Sequence, residues 1–513
     1  MKKPLIALAC LLLSTVATGA DRDLRLVNAV KQRDAQAVDR LIKQKVDVNT
    51  PQGDGATALH WAAHWDDLAT AGLLIAAGAN VNAAEDGGML PLNLACLNGS
   101  AAMVERLLKA GAKPNVGREP AVMTAARTGS ADVMKLLLAF GGNPNVQESA
   151  RGQTALMWAA AERHPNVVRL LIEAGANVHA RTLKPQPAER GRGGGPGMAA
   201  AGGNGFTALL FAARVGDLES VRALVDAGAN VNDTAADGMS GLVLATVRAY
   251  PAVATFLLGK GADPNADGAG YTALHWAAGS WETELTVTSI TPQRDGEWAT
   301  VSGLTEGRIE LIKVLLAHGA NPNARIRRSP ARVGSSKNPG LPELEGATPF
   351  LVAATAGATD VMRVLLEGGA DPHLRTSHNG TPLMAAAGLG RVIGEVLVPE
   401  AANLAAARLV LELGGADIDA VDDLGNTALQ YAAYFRRDAI VELLANQGAK
   451  LEVTNTFGET PLWVAELVVQ FAGGGRFEVA PTSTGELLRK RGAKPIQPPY
   501  KLRARYWPNI PHV

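Results

Sequence analysis

Thr57-Ala58-Leu59-His60-Trp61-Ala62-Ala63 returns letter for letter as Thr272-Ala273-Leu274-His275-Trp276-Ala277-Ala278. Looser copies open at Thr154, Thr207, Ser240, Thr348, Thr381, Thr427 and Thr460. A second signature follows each opening: Gly-Ala-Asn or a close variant, at Gly78, Gly111, Gly141, Gly175, Gly228, Gly261, Gly319, Gly369, Gly415, Gly448 and Gly492, with Lys45 in the same place one step earlier. The opening Thr or Ser precedes its glycine by 21 residues in Thr57–Gly78, Thr154–Gly175, Thr207–Gly228, Ser240–Gly261, Thr348–Gly369 and Thr427–Gly448. The glycines step by 33 from Gly78 to Gly111, Gly228 to Gly261 and Gly415 to Gly448. Self-similarity at a constant period is the mark of a repeat array.

One unit reads as two helices and a turn. Thr57 is placed to cap a helix, its hydroxyl accepting from an amide of the first turn. Pro91, Pro349, Pro382 and Pro461 follow the cap or its equivalent, where a missing N–H costs nothing. Leu59, Ala62 and Ala63 fall on one helical face. A second helix is clearest at Val133-Met134-Lys135-Leu136-Leu137-Leu138. The recurring glycine ends it, because the position beyond a helix takes a left-handed backbone that glycine adopts cheaply. Ala-Asn-Val-Asn then runs extended into a turn such as Asp237-Gly238.

On these residues the unit resembles the ankyrin repeat: Thr57-Ala58-Leu59-His60 with Ala62-Ala63, the Leu-Leu of the second helix, and Gly78-Ala79-Asn80-Val81-Asn82. The resemblance implies L-shaped units, hairpins that protrude as fingers, first helices lining a concave face, and a structural hydrogen bond for His60 and its twin His275. The expected fold is an all-α repeat solenoid of about twelve units over residues 21–495. Leu24 and Pro120 take the capping place in drifted units, and the first unit carries Arg22, Arg25, Lys31, Arg33 and Arg40 around a smaller apolar stripe, as an end cap facing water would.

The whole-chain numbers agree. With 513 residues the chain exceeds a single core, and 47% hydrophobic residues leave much to bury. Only 4% are aromatic, which suits close packing of small side chains. Lys+Arg and Asp+Glu balance at 49 each, giving no electrostatic reason to expect nucleic acid. Lys2 and Lys3, an apolar run from Leu5 to Leu13 and small residues to Ala20 read as a signal peptide over 1–20, cleaved before Asp21. Export to the periplasm or beyond is the expectation, and a bacterial source fits the composition. The run is short for a spanning helix. Cys10 would leave with the signal, so Cys96 has no partner and fills a small buried position.

Five stretches interrupt the period, at 181–204, 280–306, 325–345, 388–402 and 471–485. Two lengthen fingers and three lengthen the turn between paired helices. The first contains Gly-Arg-Gly-Gly-Gly-Pro-Gly and reads as a spacer or a partner-gripping loop. Leu285-Thr286-Val287-Thr288-Ser289-Ile290 and Trp298-Ala299-Thr300-Val301, joined through Arg294-Asp295-Gly296, read as an inserted β-hairpin near 285–301. Trp281 and Trp298 would staple it to the helices or form a binding surface. Residues 496–513 form a basic, aromatic tail that caps the last repeat, touches a membrane or guides a partner.

No catalytic constellation emerges. His60 and His64 have the spacing of a zinc-protease helix, but Trp61 stands where its glutamate belongs. Neither a nucleophile elbow nor a phosphate-binding loop appears. The reading is a non-enzyme without cofactor or metal, a monomer that binds another protein and meets a membrane only through an uncleaved signal or the tail. The alternatives are a hydrolase or carbohydrate-handling protein with a site built from the insertions, and a secreted effector that binds a host protein. The family resemblance places the two residues after Ala-Ala on the concave face: His64 and Trp65, Leu97 and Asn98, Arg127 and Thr128, Ala161 and Glu162, Arg214 and Val215, Val247 and Arg248, Thr355 and Ala356, Tyr434 and Phe435. From these the candidate partner-binding set is His64, Trp65, Arg127, Glu162, Arg214, Arg248, Tyr434 and Phe435, since aromatics and arginines anchor interfaces.

Overall fold

A repeated cap sets where most of the first helices start. The hydroxyls of Thr154, Thr207, Ser240, Thr348, Thr381 and Thr427 each accept from the amide three residues on. That satisfies a donor with no partner inside the helix. Thr57 adds its histidine to the cap. Its hydroxyl lies 3.0 Å from Nδ1 of His60, which in turn accepts from Thr57 N at 3.1 Å, so residue and cap close a reciprocal capping box.

The computed structural model describes residues 23–149, 151–183, 204–279, 307–328, 344–390, 398–470 and 476–495. The chain divides into two compact bodies, Met1–Glu148 and Ser149–Val513. In the first body four helix pairs follow one another: Arg25–Lys31 with Ala35–Lys43, Ala58–His64 with Leu68–Ala76, Pro91–Leu97 with Ala101–Lys109, and Ala121–Thr128 with Ala131–Ala139. The second body continues with Ala155–Ala161 and Pro165–Glu173, Ala208–Val215 and Leu218–Asp226, Gly241–Val247 and Pro251–Gly259, then Ala273–Ala278 and Arg308–Ala317. Pro349–Thr355 and Thr359–Glu367, Pro382–Ala387 and Glu400–Glu412, Ala428–Tyr434 and Asp438–Asn446, and Pro461–Glu466 and Ser483–Lys490 complete it. Among the described residues this makes twelve pairs from 24 helices, an all-α repeat solenoid.

Within each body every first helix packs on its own partner and on the next first helix. The contact is alanine-rich because the helices lie close. Ala62, Ala63, Ala95, Cys96, Ala125 and Ala126 are fully covered in the first body. Burial pushes the Cys96 thiol well above its usual range, so it behaves as a small apolar side chain.

Two devices tie neighbours together. The last Asn of each Gly-Ala-Asn-Val-Asn type segment reaches the next repeat. Asn82 Nδ2 donates to Gly111 O at 3.0 Å, and its Oδ1 accepts from Lys113 N at 2.8 Å. Asn49, Asn232, Asn265 and Asn323 repeat this with the next glycine in their own bodies. Asn265 meets Gly319 across the insertion at 280–306, so that insertion leaves the register intact. The second device is the residue three beyond the cap. His60 bonds Met89 O at 3.2 Å, Asn93 donates to Glu119 O at 2.9 Å, and Gln430 donates to Glu459 O at 2.8 Å. His275 meets Ala347 O at 3.2 Å and Ala324 O at 2.9 Å.

The recurring glycines have positive φ, from 71° at Gly415 to 101° at Gly492. At Gly78, Gly111 and Gly141 a Cβ would meet nothing within 4 Å, so the requirement there is conformational and not steric. Lys45 holds the same place at φ 60°. A left-handed L-residue costs about 1–2 kcal/mol, partly offset by glycine's greater entropy loss. Lys45→Gly is therefore expected to raise stability by about 1 kcal/mol. A urea titration in which the midpoint does not move upward refutes this.

The finger insertions leave the finger neck unchanged. In a plain finger Ala235 N donates to Met239 O and Gly238 N donates to Ala235 O. Around 184–203 the same pair is Thr182 N to Phe206 O and Gly205 N to Thr182 O. Around 329–343 it is Ile326 N to Ala347 O and Gly346 N to Ile326 O. Each lengthened neck carries an arginine. Arg181 Nη1 donates to Gly205 O and to Thr234 O of the next finger. Arg325 Nη1 donates likewise to Gly346 O and Arg375 O.

The other interruptions differ in detail from their sequence boundaries. The stretch 388–402 ends inside the helix Glu400–Glu412, which is lengthened to 13 residues. The last one begins before 471: strands Leu467–Gln470 and Arg476–Val479 pair antiparallel directly after the helix Pro461–Glu466. The hairpin expected near 285–301, the signal at 1–20 and the tail at 496–513 lie outside the described residues.

Candidate protein-binding face

The repeat register lines up three positions on each first helix: four, seven and eight residues after the cap. In the first body they hold Trp61, His64 and Trp65, then Leu94, Leu97 and Asn98, then Thr124, Arg127 and Thr128. Some are committed to the fold. The Asn98 amide donates to Ala63 O and His64 O at 3.0 and 2.9 Å, closing the end of the neighbouring helix. Thr128 donates to Cys96 O at 3.3 Å in the same way. Arg127 pairs with Glu119 at 3.3 Å.

Others stand open. His64 is exposed, and Trp65 and Leu97 keep 39% and 41% of their surface in solvent. Trp61, His64 and Trp65 form one aromatic cluster, with ring centroids 4.6 to 6.2 Å apart. Two cations of the first repeat lie on it. Lys31 Nζ is 4.6 Å from the Trp61 ring centre and Arg33 Cζ is 4.5 Å from that of Trp65. Trp61, Lys31 and Arg33 were absent from the sequence-derived set. Lys31 was legible there, because it stands seven residues after Leu24 just as His64 stands seven after Thr57.

In the second body the register positions are more covered. Glu162 is exposed, but Arg214 keeps only 9% of its surface, with its guanidinium 5.8 and 5.2 Å from the rings of Phe206 and Phe211. Val247 is at 3%, and Arg248 is half-buried. Tyr434 and Phe435 are half-buried and meet edge to face at 5.1 Å. Phe435 lies against Gly388 of the preceding repeat, where a Cβ would collide with its ring. The geometry thus joins His64 with Trp65 and Tyr434 with Phe435. Arg127 is turned to Glu119 and Arg214 to two phenylalanines.

The histidines in the helices have structural surroundings. In His275, Nδ1 accepts from Thr272 N at 3.2 Å and Nε2–H points to two carbonyls, so the neutral ring is the form that fits. Burial, the largest cause, brings its pKa from 6.5 down to about 4. His60 is lowered too, again by burial first. Among the described residues no group of three or more His, Cys, Asp or Glu could hold a metal ion. No described helix is long and apolar enough to cross a membrane.

Comparison with known proteins adds the following. The family model for ankyrin repeats in three copies matches residues 26–118, 116–182, 192–268, 209–287 and 400–467, more than half of the chain. A model for many copies of the same repeat matches 334–384. Mouse Rabankyrin-5 is 28% identical over 227 residues, 44% of this chain and 18% of that protein. The human ankyrin repeat and SOCS box protein 16 is 31% identical over 264 residues, 50% of this chain and 53% of that one. The chain thus spans well under two thirds of these relatives. The crystal structure of the human ASB11 ankyrin repeat domain is similar at 30% identity with a TM-score of 0.39, covering 47% of this chain and 98% of that one.

Proposed function

The chain belongs to the ankyrin-repeat family, and on that premise we propose that it is a non-catalytic scaffold holding another protein on the open positions of its first helices and on its fingers. Ankyrin repeats in general are protein-interaction scaffolds, and their usual task is to bind another protein. The observation that carries the finer reading is Trp65, a large aromatic left 39% exposed beside an exposed Leu97. A folded surface that keeps indole and leucine in water at adjacent register positions offers apolar area to a partner. Tyr434 and Phe435 offer a second aromatic pair.

The test compares the full chain with Trp65→Ala and Tyr434→Ala in affinity capture from its native source. Truncating an aromatic anchor costs about 2 kcal/mol, roughly thirtyfold in affinity. Both variants should melt as the parent does and lose the captured protein. Undiminished capture by both would overturn the assignment of the face.

The place of action is part of the same proposal: outside the cytoplasm, in the periplasm or secreted, as a monomer. Lys2, Lys3 and the apolar run Leu5 to Leu13 support it. Protein recovered from the envelope should begin at Asp21, and intact 1–20 on cytoplasmic protein would refute export.

A further inference from the structure

Lys31 and Arg33 stack on tryptophan rings, and neither makes an ion pair among the described residues, Lys31 feeling only the charge of Asp54 at longer range. A cation on an indole face uses the ring's quadrupole but keeps its remaining N–H donors. The guanidinium in particular retains its in-plane fork, whose geometry matches a carboxylate. Both side chains are exposed. The nearby acids are largely engaged elsewhere. Asp34 accepts from Ala37 N at 2.9 Å and Asp67 from Thr70 N at 3.0 Å, each capping a second helix. Asp54 accepts from Ala56 N at 3.0 Å and from the Gln52 amide at 2.9 Å. Asp66, in the turn after Trp65, is exposed and makes no ion pair among the described residues. Beside the cations lies the open apolar surface of Trp65 and Leu97.

We propose that this face of the first body takes an acidic segment of a partner protein. Carboxylates of the segment accept from Lys31 and Arg33, and a neighbouring apolar side chain covers Trp65 and Leu97. The proposal rests on the scaffold reading above and names the chemistry of the partner. Charge complementarity favours it: donors already ordered by stacking need little further ordering to bind an anion, and an acid next to an apolar residue fills both halves of the site. A basic segment would face two unpaired cations at the same place.

The experiment uses the full chain and three fluorescent peptides of about a dozen residues, built from Leu with Glu, with Lys or with Gln. Fluorescence polarisation should show the Glu peptide binding about tenfold or more tightly than the Gln peptide, and the Lys peptide weakest. The double variant Lys31→Glu/Arg33→Glu should lose at least tenfold for the Glu peptide and gain for the Lys peptide. Arg33→Gln, which removes charge without adding repulsion, guards against a folding effect and should fall between. Added salt should weaken the Glu peptide most. Equal binding of Glu and Lys peptides, or Glu binding indifferent to both variants, overturns the proposal. Failure here with intact capture of a partner that still depends on Tyr434 leaves the scaffold reading standing. A parent chain that captures no protein at all sinks that reading itself.

Discussion

Lowering the pH from 7 to 4 is expected to cost the parent protein about 3 kcal/mol more than it costs His275→Gln. The folded-state pKa of His275 lies at about 4, against 6.5 for the free side chain. Between those values the unfolded chain binds a proton that the folded chain does not. Stability from this group is therefore complete above pH 6.5 and is lost progressively as pH falls toward 4. The size follows from about 1.4 kcal/mol per pH unit over that interval. Glutamine is the right replacement because the chain already uses it. Gln430 holds the equivalent place, its Oε1 accepting from Thr427 N at 2.8 Å and its amide donating to Glu459 O. His275→Gln should keep the link to the next finger without a titrating ring. Urea titrations of both proteins at a series of pH values supply the check. Carboxylates elsewhere titrate equally in both, so the difference isolates His275. Parallel stability profiles would show that burial does not hold the ring neutral.

Gly238→Ala is expected to destabilise by about 2–5 kcal/mol, and Gly261→Ala by only about 1–2 kcal/mol. Both glycines are left-handed, at φ 87° and 88°. An alanine at either pays the backbone term. Only Gly238 also lacks room. A Cβ there would collide with the carbonyl of Gly268 in the adjoining finger, whereas at Gly261 nothing lies within 4 Å. Backbone cannot swing aside as a side chain does, so overpacking adds about 1–3 kcal/mol at Gly238. Thermal or urea melts of the two variants decide the matter. Equal losses would mean that the fingers do not approach as closely as Gly238 and Gly268 require.

The repeat, its caps and its glycines were all readable from Thr57, Gly78 and their copies, because each reports a local requirement of the backbone. The face was only partly readable. His64 and Trp65 could be placed by register, but nothing in the spacing told that Asn98 would be drawn into closing its neighbour's helix, or that Arg214 would settle on Phe206 and Phe211. Lys31 and Arg33 stayed outside the candidate binding set because they sat in a repeat read as a water-facing end cap. Their meaning depends on tryptophans in the following repeat.

By itself the sequence determined the unit and its succession: a capped helix, a second helix stopped by glycine, and an extended turn, recurring with one period. These are choices of φ, ψ and apolar spacing made within a few residues, so a single chain read in order contains them. Tertiary structure alone decided which polar side chains are spent between repeats and which stay open to a partner. Asn82 reaches Gly111 and His275 reaches Ala347 across separations of 29 and 72 residues. A hydrogen bond of that span exists only once the backbones are side by side, and only then is a side chain's remaining capacity defined.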